Sequence, residues 1–317
     1  MIEVEGLTRY YGDFAAVQDA SFSIEEREIV GFLGLNGAGK STILKVLAGL
    51  LMPSAGSVRL GGIDALEQPD ALRTKIGFLP EEPPLYREMR VLEFLRWVGR
   101  AKGRSKAQVE ADLPTVVELC DLDGVKDKVI AELSHGYRKR VGIAQAIIHR
   151  PDVVILDEPI SGLDPHQIVE MREVVRSLKE RATVLISSHI LSEVALTCDR
   201  VLVIHQGRIV AEGSTDALAR SGRADAVALG VRGDADAVRE ALRSSGVVVS
   251  FEVREADGLV RATAELEPGA ESRERLVAHL VAAGLGVVGV ADPVSELERA
   301  FLELTRGEQA PAAKEAS

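Results

Sequence analysis

Hydrophobic and polar positions predict an α/β fold over most of the chain up to residue 220. Residues 28–33 are mostly apolar and bounded by glycine, which predicts a buried strand, and residues 41–49 repeat apolar positions at helical spacing before a closing glycine. Residues 151–156 form an apolar, β-branched run of the kind found in central parallel strands. Residues 182–187 predict a further strand, and residues 201–210 predict a hairpin that closes the domain.

A helical insert interrupts this pattern. A strand at residues 76–79 is followed by prolines at which the chain should leave the sheet. Residues 91–98 and 109–120 then carry apolar positions at helical spacing, although Pro114 leaves the limits of the second helix open. The insert is expected to extend over about residues 83–150, within an α/β domain of residues 1–220.

The periodicity changes again after residue 220. Strands and helices alternate in the order β-α-β-β-α-β, which predicts a ferredoxin-like α+β domain over residues 221–305. The segments are residues 226–231, 235–243, 247–253, 259–264, 272–283 and 286–290. A last helix carries Val294, Leu297, Phe301 and Leu304 on one face, and residues 306–317, rich in Ala, Glu and Pro, are expected to be disordered.

Composition narrows the class of protein. The 317 residues are 46% hydrophobic, enough for a large core, and the net charge of −11 argues against a surface that coats nucleic acid. Both cysteines, Cys120 and Cys198, lie in apolar helical runs and are expected to be buried free thiols. Neither a signal sequence nor an apolar run long enough to span a membrane is evident, so the sequence is expected to be that of a cytosolic protein.

The strongest candidate site lies between the strand at 28–33 and the helix that follows. Its residues match the phosphate-binding pattern G-x-x-x-x-G-K-[ST]. Glycines let backbone N–H groups converge on phosphate oxygens, and the helix N-terminus adds free donors. Lys40 is expected to reach the β- and γ-phosphates and Ser41 to bind Mg²⁺. The alternative is a chance glycine turn before a helix. The segment comprises Gly34, Leu35, Asn36, Gly37, Ala38, Gly39, Lys40, Ser41 and Thr42.

Two carboxylates end the strand at 151–156. Asp157 and Glu158 fall where open α/β sheets bind ligands, at the carboxyl end of a strand. Asp157 is suited to hold Mg²⁺ through water, and Glu158 to orient and polarise an attacking water. The alternative is a pair of acids that face solvent, and the phosphate-binding pattern upstream makes it the weaker interpretation.

Three further positions are ambiguous when taken singly. Tyr11 could stack on a nucleotide base or pack at a strand end. Ser134 is a good helix N-cap and could also contribute to a second anion site. His189 follows a core strand and could reach a γ-phosphate, whereas a lone histidine is more often structural.

In this order the motifs of residues 2–220 resemble the ATP-binding subunit of an ATP-binding-cassette (ABC) transporter. Residues 79–86 and 133–137 are similar to the multidrug, polysaccharide and gliding-motility exporter branch. The matching positions are the stacking aromatic Tyr11, Walker A (34–41), the Q-loop position Glu81, the signature (133–137), Walker B (153–158), the D-loop (161–164) and the switch histidine His189.

The resemblance implies a P-loop NTPase of ABC type, with a mixed-sheet core and a helical subdomain, that hydrolyses ATP with Mg²⁺. Ser41, Asp157 and Glu81 would hold the metal, and Glu158 and His189 would be catalytic. Two subunits, expected to be copies of one chain, would pair head to tail. Each ATP would then lie between Walker A of one subunit and the signature Ser134, His135 and Gly136 of the other, with the D-loop Asp164 coupling the two sites.

A separate transmembrane permease is the other implied partner. It would dock on residues 80–130 at the cytoplasmic face of the membrane, where the chain would be peripheral, and no nucleic-acid partner is expected. Two departures from the family pattern stand out. Glu81 occupies a position that is usually glutamine, and the signature is LSHGY rather than LSGGQ, with His135 and Tyr137 as the changed residues.

Two other functions stay open. A non-transport ABC ATPase would act on a cytosolic machine such as the ribosome or DNA, but such proteins commonly join two cassettes or carry coiled-coil inserts or zinc motifs. A nucleotide-gated module without turnover is disfavoured by Glu158.

Overall fold

The structure is a computed structural model that describes residues 2–215, 226–256, 259–267, 269 and 271–291. The described residues up to Thr215 form one compact unit, and those from Ala226 to Ala291 belong to a second. The predicted domain boundary at residue 220, the last helix and the tail lie outside the described residues.

The first unit contains two sheets. Their strands are β1 (Ile2–Tyr11), β2 (Phe14–Ile24), β3 (Ile29–Leu33), β4 (Ala55–Leu60), β5 (Ile63–Asp64), β6 (Ile76–Leu79), β7 (Val153–Leu156), β8 (Thr183–Ser188), β9 (Arg200–His205) and β10 (Arg208–Ser214). A six-stranded sheet has the order β10-β9-β3-β8-β7-β6, with β9, β3, β8, β7 and β6 parallel and β10 antiparallel to β9. An antiparallel sheet has the order β2-β1-β4-β5.

Helices pack between and beside these sheets. The apolar side of the first helix, with Ile43 and Leu44, is buried in a core that also takes residues from both sheets, including the edge-to-face pair Phe22 and Phe32. The helices are α1 (Lys40–Leu47), α2 (Pro69–Thr74), α3 (Val91–Ala101), α4 (Lys106–Leu119), α5 (His135–Ile147), α6 (Pro165–Leu178) and α7 (Leu191–Thr197).

The region expected to form a helical insert contains α3, α4 and α5. The second helix begins earlier than its apolar pattern predicts, because Ser105 caps it: its Oγ accepts from Gln108 N at 3.2 Å while the Gln108 side chain accepts from Ser105 N. Pro114 lies inside this helix and does not end it. The short helix α2 was missed by the sequence analysis, whereas α7, which ends next to Cys198, lies in the apolar helical run expected around that residue.

The second unit has the predicted β-α-β-β-α-β order. Its antiparallel sheet runs β12-β13-β11-β14, which is the ferredoxin-like arrangement. A separate apolar core, with Leu229, Leu242 and Leu276 fully or almost fully buried, lies between the sheet and the helices. The elements are β11 (Ala226–Arg232), α8 (Ala235–Ser244), β12 (Val248–Ala256), β13 (Leu259–Leu266), α9 (Ser272–Ala282) and β14 (Gly286–Ala291).

Candidate functional site

Parallel pairing brings the ends of β3, β8, β7 and β6 to one edge of the six-stranded sheet. The loops that follow these strands surround a cleft of about 470 Å³. Ligands of open α/β sheets bind at this edge. The lining residues are Tyr11, Phe14, Ala16, Asn36, Gly37, Gly39, Lys40, Ser41, Thr42, Glu81, Glu158, Ser161 and His189.

The loop between β3 and α1 needs its glycines. Gly37 and Gly39 have φ of 81° and 110°, in the region that side chains disfavour. A Cβ at Gly39 would lie 2.5 Å from the carbonyl oxygen of Ala16, and one at Gly34 would lie 2.4 Å from that of Ile204. The loop therefore packs tightly on neighbouring backbone and presents the N-terminus of α1, at Lys40, to the cleft.

Lys40 places a buried ammonium group at the mouth of this loop. Its Nζ donates to the carbonyl oxygens of Gly34 at 2.7 Å and Leu35 at 3.2 Å. The same Nζ lies 3.5 Å from Glu158 Oε1, and both side chains of this ion pair are buried. A phosphate that enters the cleft would offer the ammonium group a second anionic partner.

Asp157 is held from two sides. Ser41 Oγ donates to its Oδ1 at 3.0 Å, and Ser187 Oγ donates to the same atom at 2.6 Å. Hydroxyl and carboxylate oxygens are the ligands that Mg²⁺ prefers, so Ser41 and Asp157 fit a magnesium site. The role of Ser187 was missed by the sequence analysis; the available signal was a small polar residue at the end of a strand that neighbours β7.

Glu158 is buried and has a left-handed backbone, with φ of 47°. Its N–H donates to Ser187 Oγ at 2.8 Å, and its Oε2 lies 3.1 Å from His189 Nδ1. Oε1 is buried and accepts no hydrogen bond from the described residues. Besides the ion pair with Lys40 Nζ at 3.5 Å, this oxygen has lone pairs left for a water or a metal ion in the loaded site.

Glu81 lines the cleft with an exposed side chain. Its backbone carbonyl accepts from Lys139 Nζ at 2.5 Å, and the carbonyl of Glu158 accepts from the same Nζ at 3.0 Å. Burial lowers the pKa of Lys139, and the negative charges of Glu81 and Glu158, together with those of Asp157 and Glu82, oppose that shift. Lys139 was missed, because nothing in the basic run at residues 138–140 distinguishes it from its neighbours.

Aromatic side chains form the other end of the cleft. Tyr11 is half exposed, as the stacking prediction requires, and the guanidinium of Arg9 lies 5.2 Å from its ring centroid. Phe14, which the sequence analysis missed, is 65% exposed beside it. A nucleobase would find an apolar, π-rich wall here.

The signature residues lie elsewhere in the chain's own structure. Ser134 caps α5, with its Oγ accepting from Tyr137 N at 3.3 Å, and Asp164 caps α6, with its Oδ1 accepting from Gln167 N at 3.0 Å. His135 faces the D-loop, where a Cβ at Gly162 would lie 3.3 Å from its Nε2, and Gly136 is buried against Gln167. None of Ser134, His135, Gly136 and Asp164 is among the described residues that line the cleft.

A phosphate loop, a pair of acids and a histidine on adjacent parallel strands define a P-loop nucleotide hydrolase. The ABC transporter family model matches residues 17–161. The chain is 32% identical over 312 residues to the linearmycin resistance ATP-binding protein LnrL of Bacillus subtilis, covering 96% of this chain and 98% of that protein. The chain therefore belongs to the family of ABC transporter ATP-binding proteins, and it binds and hydrolyses ATP.

A second relative and a solved structure also support membership of this family. The Nod factor export ATP-binding protein I of Paraburkholderia xenovorans is 38% identical over 221 residues, 69% of this chain and 73% of that protein. A solved ATP-binding subunit of an ABC transporter superposes with a TM-score of 0.62 at 34% identity, covering 69% of this chain and 92% of that one. None of the helices that the structure describes has both the length and the apolar character needed to cross a bilayer.

Proposed function

We propose that this protein powers an exporter, by ATP-driven head-to-tail dimerisation beneath a separate membrane permease. Export is supported by two relatives, one named for Nod factor export and the other for linearmycin resistance. The chain would be peripheral, at the cytoplasmic face of the membrane.

The cleft geometry supports a definite division of roles. The loop at residues 34–42 would cradle the phosphates, with Lys40 on the β- and γ-phosphates and the base against Tyr11. Ser41, Asp157 and Glu81 would hold Mg²⁺, which when bound neutralises charge on the phosphate oxygens.

Glu158 would accept a hydrogen bond from the attacking water and align its oxygen with the γ-phosphorus. The water oxygen would bond to the γ-phosphorus as the bond from that phosphorus to the ADP oxygen breaks; the water proton would pass to the Glu158 carboxylate, and the electron pair of the broken bond would leave on ADP. His189, which contacts Glu158 Oε2, would also contact the γ-phosphate. Positioning and charge neutralisation suffice for this step, since no covalent intermediate with the protein is needed.

The position of the signature, residues 133–137, is the observation that most supports a head-to-tail dimer. Ser134 and Gly136 begin α5 away from the chain's own cleft, yet a capping hydroxyl and the free N–H groups of a helix N-terminus suit a phosphate. A second subunit in head-to-tail orientation would bring this helix end to the γ-phosphate, with Asp164 between the two sites.

The proposed permease surface combines a groove with exposed aromatic rings. The groove, about 470 Å³, lies between the edge strand β6 and the insert and is lined by residues that include Leu50, Phe78 and Pro84. Tyr86 and Trp97 of the insert are each about half exposed, and their rings pack edge to face with centroids 4.9 Å apart. An apolar cytoplasmic segment of a membrane protein would bury this surface.

Replacement of Glu158 tests the catalytic assignment. Glu158→Gln keeps the size of the side chain but removes its basicity, so steady ATP hydrolysis should fall by about 100-fold or more. Light scattering after gel filtration should then show an ATP-dependent dimer. Asp152→Asn, which alters an exposed acid next to the opposite end of β7, is the control and should hydrolyse ATP at the wild-type rate. Wild-type turnover in Glu158→Gln would remove Glu158 from its role.

Affinity purification of the tagged chain from detergent-solubilised membranes tests the partner. A stoichiometric polytopic membrane protein is expected, and Trp97→Ala should weaken its recovery without altering the ATPase rate of the isolated chain. Recovery of ribosomal proteins or DNA instead would favour the non-transport alternative.

A further inference from the structure

Helix α5 follows the edge strand β6 residue by residue. Just beyond the C-terminal end of α5, His149 Nε2 lies 3.1 Å from the carbonyl oxygen of Ile76, and four residues earlier, within the helix, Gln145 Nε2 donates to the carbonyl oxygen of Phe78 at 3.4 Å. These contacts share one face of the helix, and they progress along the strand as α5 is followed back towards its start.

Two glycines allow this close approach. A Cβ at Gly77 in β6 would lie 2.0 Å from the carbonyl oxygen of Ala146, and one at Gly142 in α5 would lie 2.5 Å from Leu79 Cδ1. Neither position has room for a side chain, so the helix and the strand pack in direct contact over this length.

Lys139 makes the last contact of this face. Positions 139, 142, 146 and 149 fall at helical spacing, so Lys139 lies beyond the end of β6, over the Q-loop. Its side chain is 1% exposed, and its Nζ donates to two carbonyl oxygens, Glu81 at 2.5 Å and Glu158 at 3.0 Å. One ammonium group thus joins the signature helix, the Q-loop and the Walker B segment.

We propose that Lys139 is a positioning residue for ATP hydrolysis, which holds the backbone of Glu158 so that its carboxylate meets the attacking water. This inference rests on the proposed role of Glu158.

The backbone of Glu158 needs such support. Its φ of 47° lies in a region that non-glycine residues rarely occupy, and such conformations persist only when the surroundings fix them. Ser187 Oγ fixes the N–H and Lys139 Nζ fixes the carbonyl. The carbonyl of Glu158 also accepts from Ser161 N at 3.2 Å, so loss of the ammonium group removes the shorter of these two bonds and loosens the peptide. Displacement of a catalytic group by about 1 Å can cost about 100-fold in rate.

A purely structural role makes a different prediction. A buried cation that only stabilises the fold would, when lost, lower the amount of folded protein and leave each folded site with normal turnover. Arg104 offers a matched control, because its Nη2 donates to the buried Asp112 at 2.7 Å within the insert and it does not line the cleft.

The experiment compares Lys139→Met with Arg104→Met in the full chain. Active sites are counted by titration with a fluorescent ATP analogue, and kcat and KM for ATP are measured per site. Lys139→Met should lower kcat about tenfold with KM within about twofold of wild type, because methionine fills the space but donates no hydrogen bond. Arg104→Met should lose stability at unchanged kcat per site.

An unchanged kcat per site in Lys139→Met would overturn the proposal, as would a rise in KM without a fall in kcat. If this variant does not fold, Lys139→Gln, which keeps a donor for one carbonyl, is measured in the same way and should lose at least about threefold in kcat. Glu158→Gln distinguishes failure of this inference from failure of the proposed function. Wild-type turnover in Glu158→Gln would refute the catalytic role proposed for Glu158. A wild-type kcat in Lys139→Met, with Glu158→Gln inactive, would refute only the role proposed for Lys139.

Discussion

Glu81 places a carboxylate on the wall of the cleft that is proposed to receive the triphosphate. Before a metal arrives, this negative charge and the phosphates repel each other. Two unit charges about 4 Å apart interact by about 1 kcal/mol in water and by more where solvent is excluded. Once Mg²⁺ is bound, the same carboxylate becomes a hard oxygen ligand and its charge is favourable.

Glu81→Gln should therefore bind ATP about fivefold more tightly in the presence of EDTA, since a 1 kcal/mol repulsion corresponds to about that factor. In Mg²⁺ the gain should shrink or reverse. Calorimetric titration under both conditions measures the difference, and Glu82→Gln, an exposed neighbour that does not line the cleft, is the control. An equal effect of Glu81→Gln with and without Mg²⁺ would show that this carboxylate does not contact the metal.

The residues of the cleft differ in how far the sequence could predict them. The loop at residues 34–42 and the acids 157–158 are contiguous motifs whose spacing carries their chemistry, and the structure brings them together around the cleft. Ser187 and Lys139, which both hydrogen-bond the backbone of Glu158, lie 29 and 19 residues from it in sequence. Only the pairing of β7 with β8 and the packing of α5 on β6 reveal them, and no local pattern encodes those distances.

At the scale of elements, a buried histidine just beyond the end of α5 takes part in the contact with β6. His149 Nε2 faces the carbonyl oxygen of Ile76, and its Nδ1 is buried without a hydrogen bond among the described residues. Burial, aided by the positive charges of Lys102 and Arg104 and opposed by the Ile76 carbonyl, lowers the pKa of His149 to about 4 from 6.5. Between about pH 4 and pH 6.5 the unfolded chain therefore binds a proton at His149 that the folded chain does not.

Stability should accordingly fall as the pH drops from about 6.5 towards 4, by up to about 1.4 kcal/mol per pH unit from this histidine, and its contribution should be unchanged above pH 7. His149→Gln, which keeps an N–H donor, should remove that part of the slope. Urea unfolding followed by the fluorescence of Trp97, the single tryptophan, reports on this unit. His166→Gln, at an exposed site on α6, is the control; equal slopes in wild type and His149→Gln would contradict the prediction.

The helices and strands also differ in how far the local sequence could predict them. The strands β7 and β8 and the helix α5 were predicted because long apolar runs and a serine cap determine them locally. The helix α2, of only six residues, has one fully buried apolar side chain, Leu72, and so gives too little periodicity to detect. Its position is set by packing against the core, in which Leu72 takes part.

At the scale of the whole molecule, the chain carries two units with separate apolar cores. The alignment with LnrL extends over 96% of this chain and therefore includes the second unit, whereas the one with the Nod factor export protein covers 69%. A dimer-stabilising or a regulatory role is the hypothesis to test for the second unit.

Truncation after Arg220 tests it. Because the cleft is formed by the first unit, the affinity of the truncated chain for ATP should stay within about twofold of the full chain. If the second unit contributes to the dimer, the ATP-dependent dimer of Glu158→Gln should dissociate at about tenfold higher protein concentration once residues 221–317 are removed, a change of about 1.4 kcal/mol. Sedimentation at several concentrations measures this, and removal of residues 306–317 alone is the control. Unchanged dimerisation, ATPase rate and transport after the cut at Arg220 would exclude both roles for the second unit.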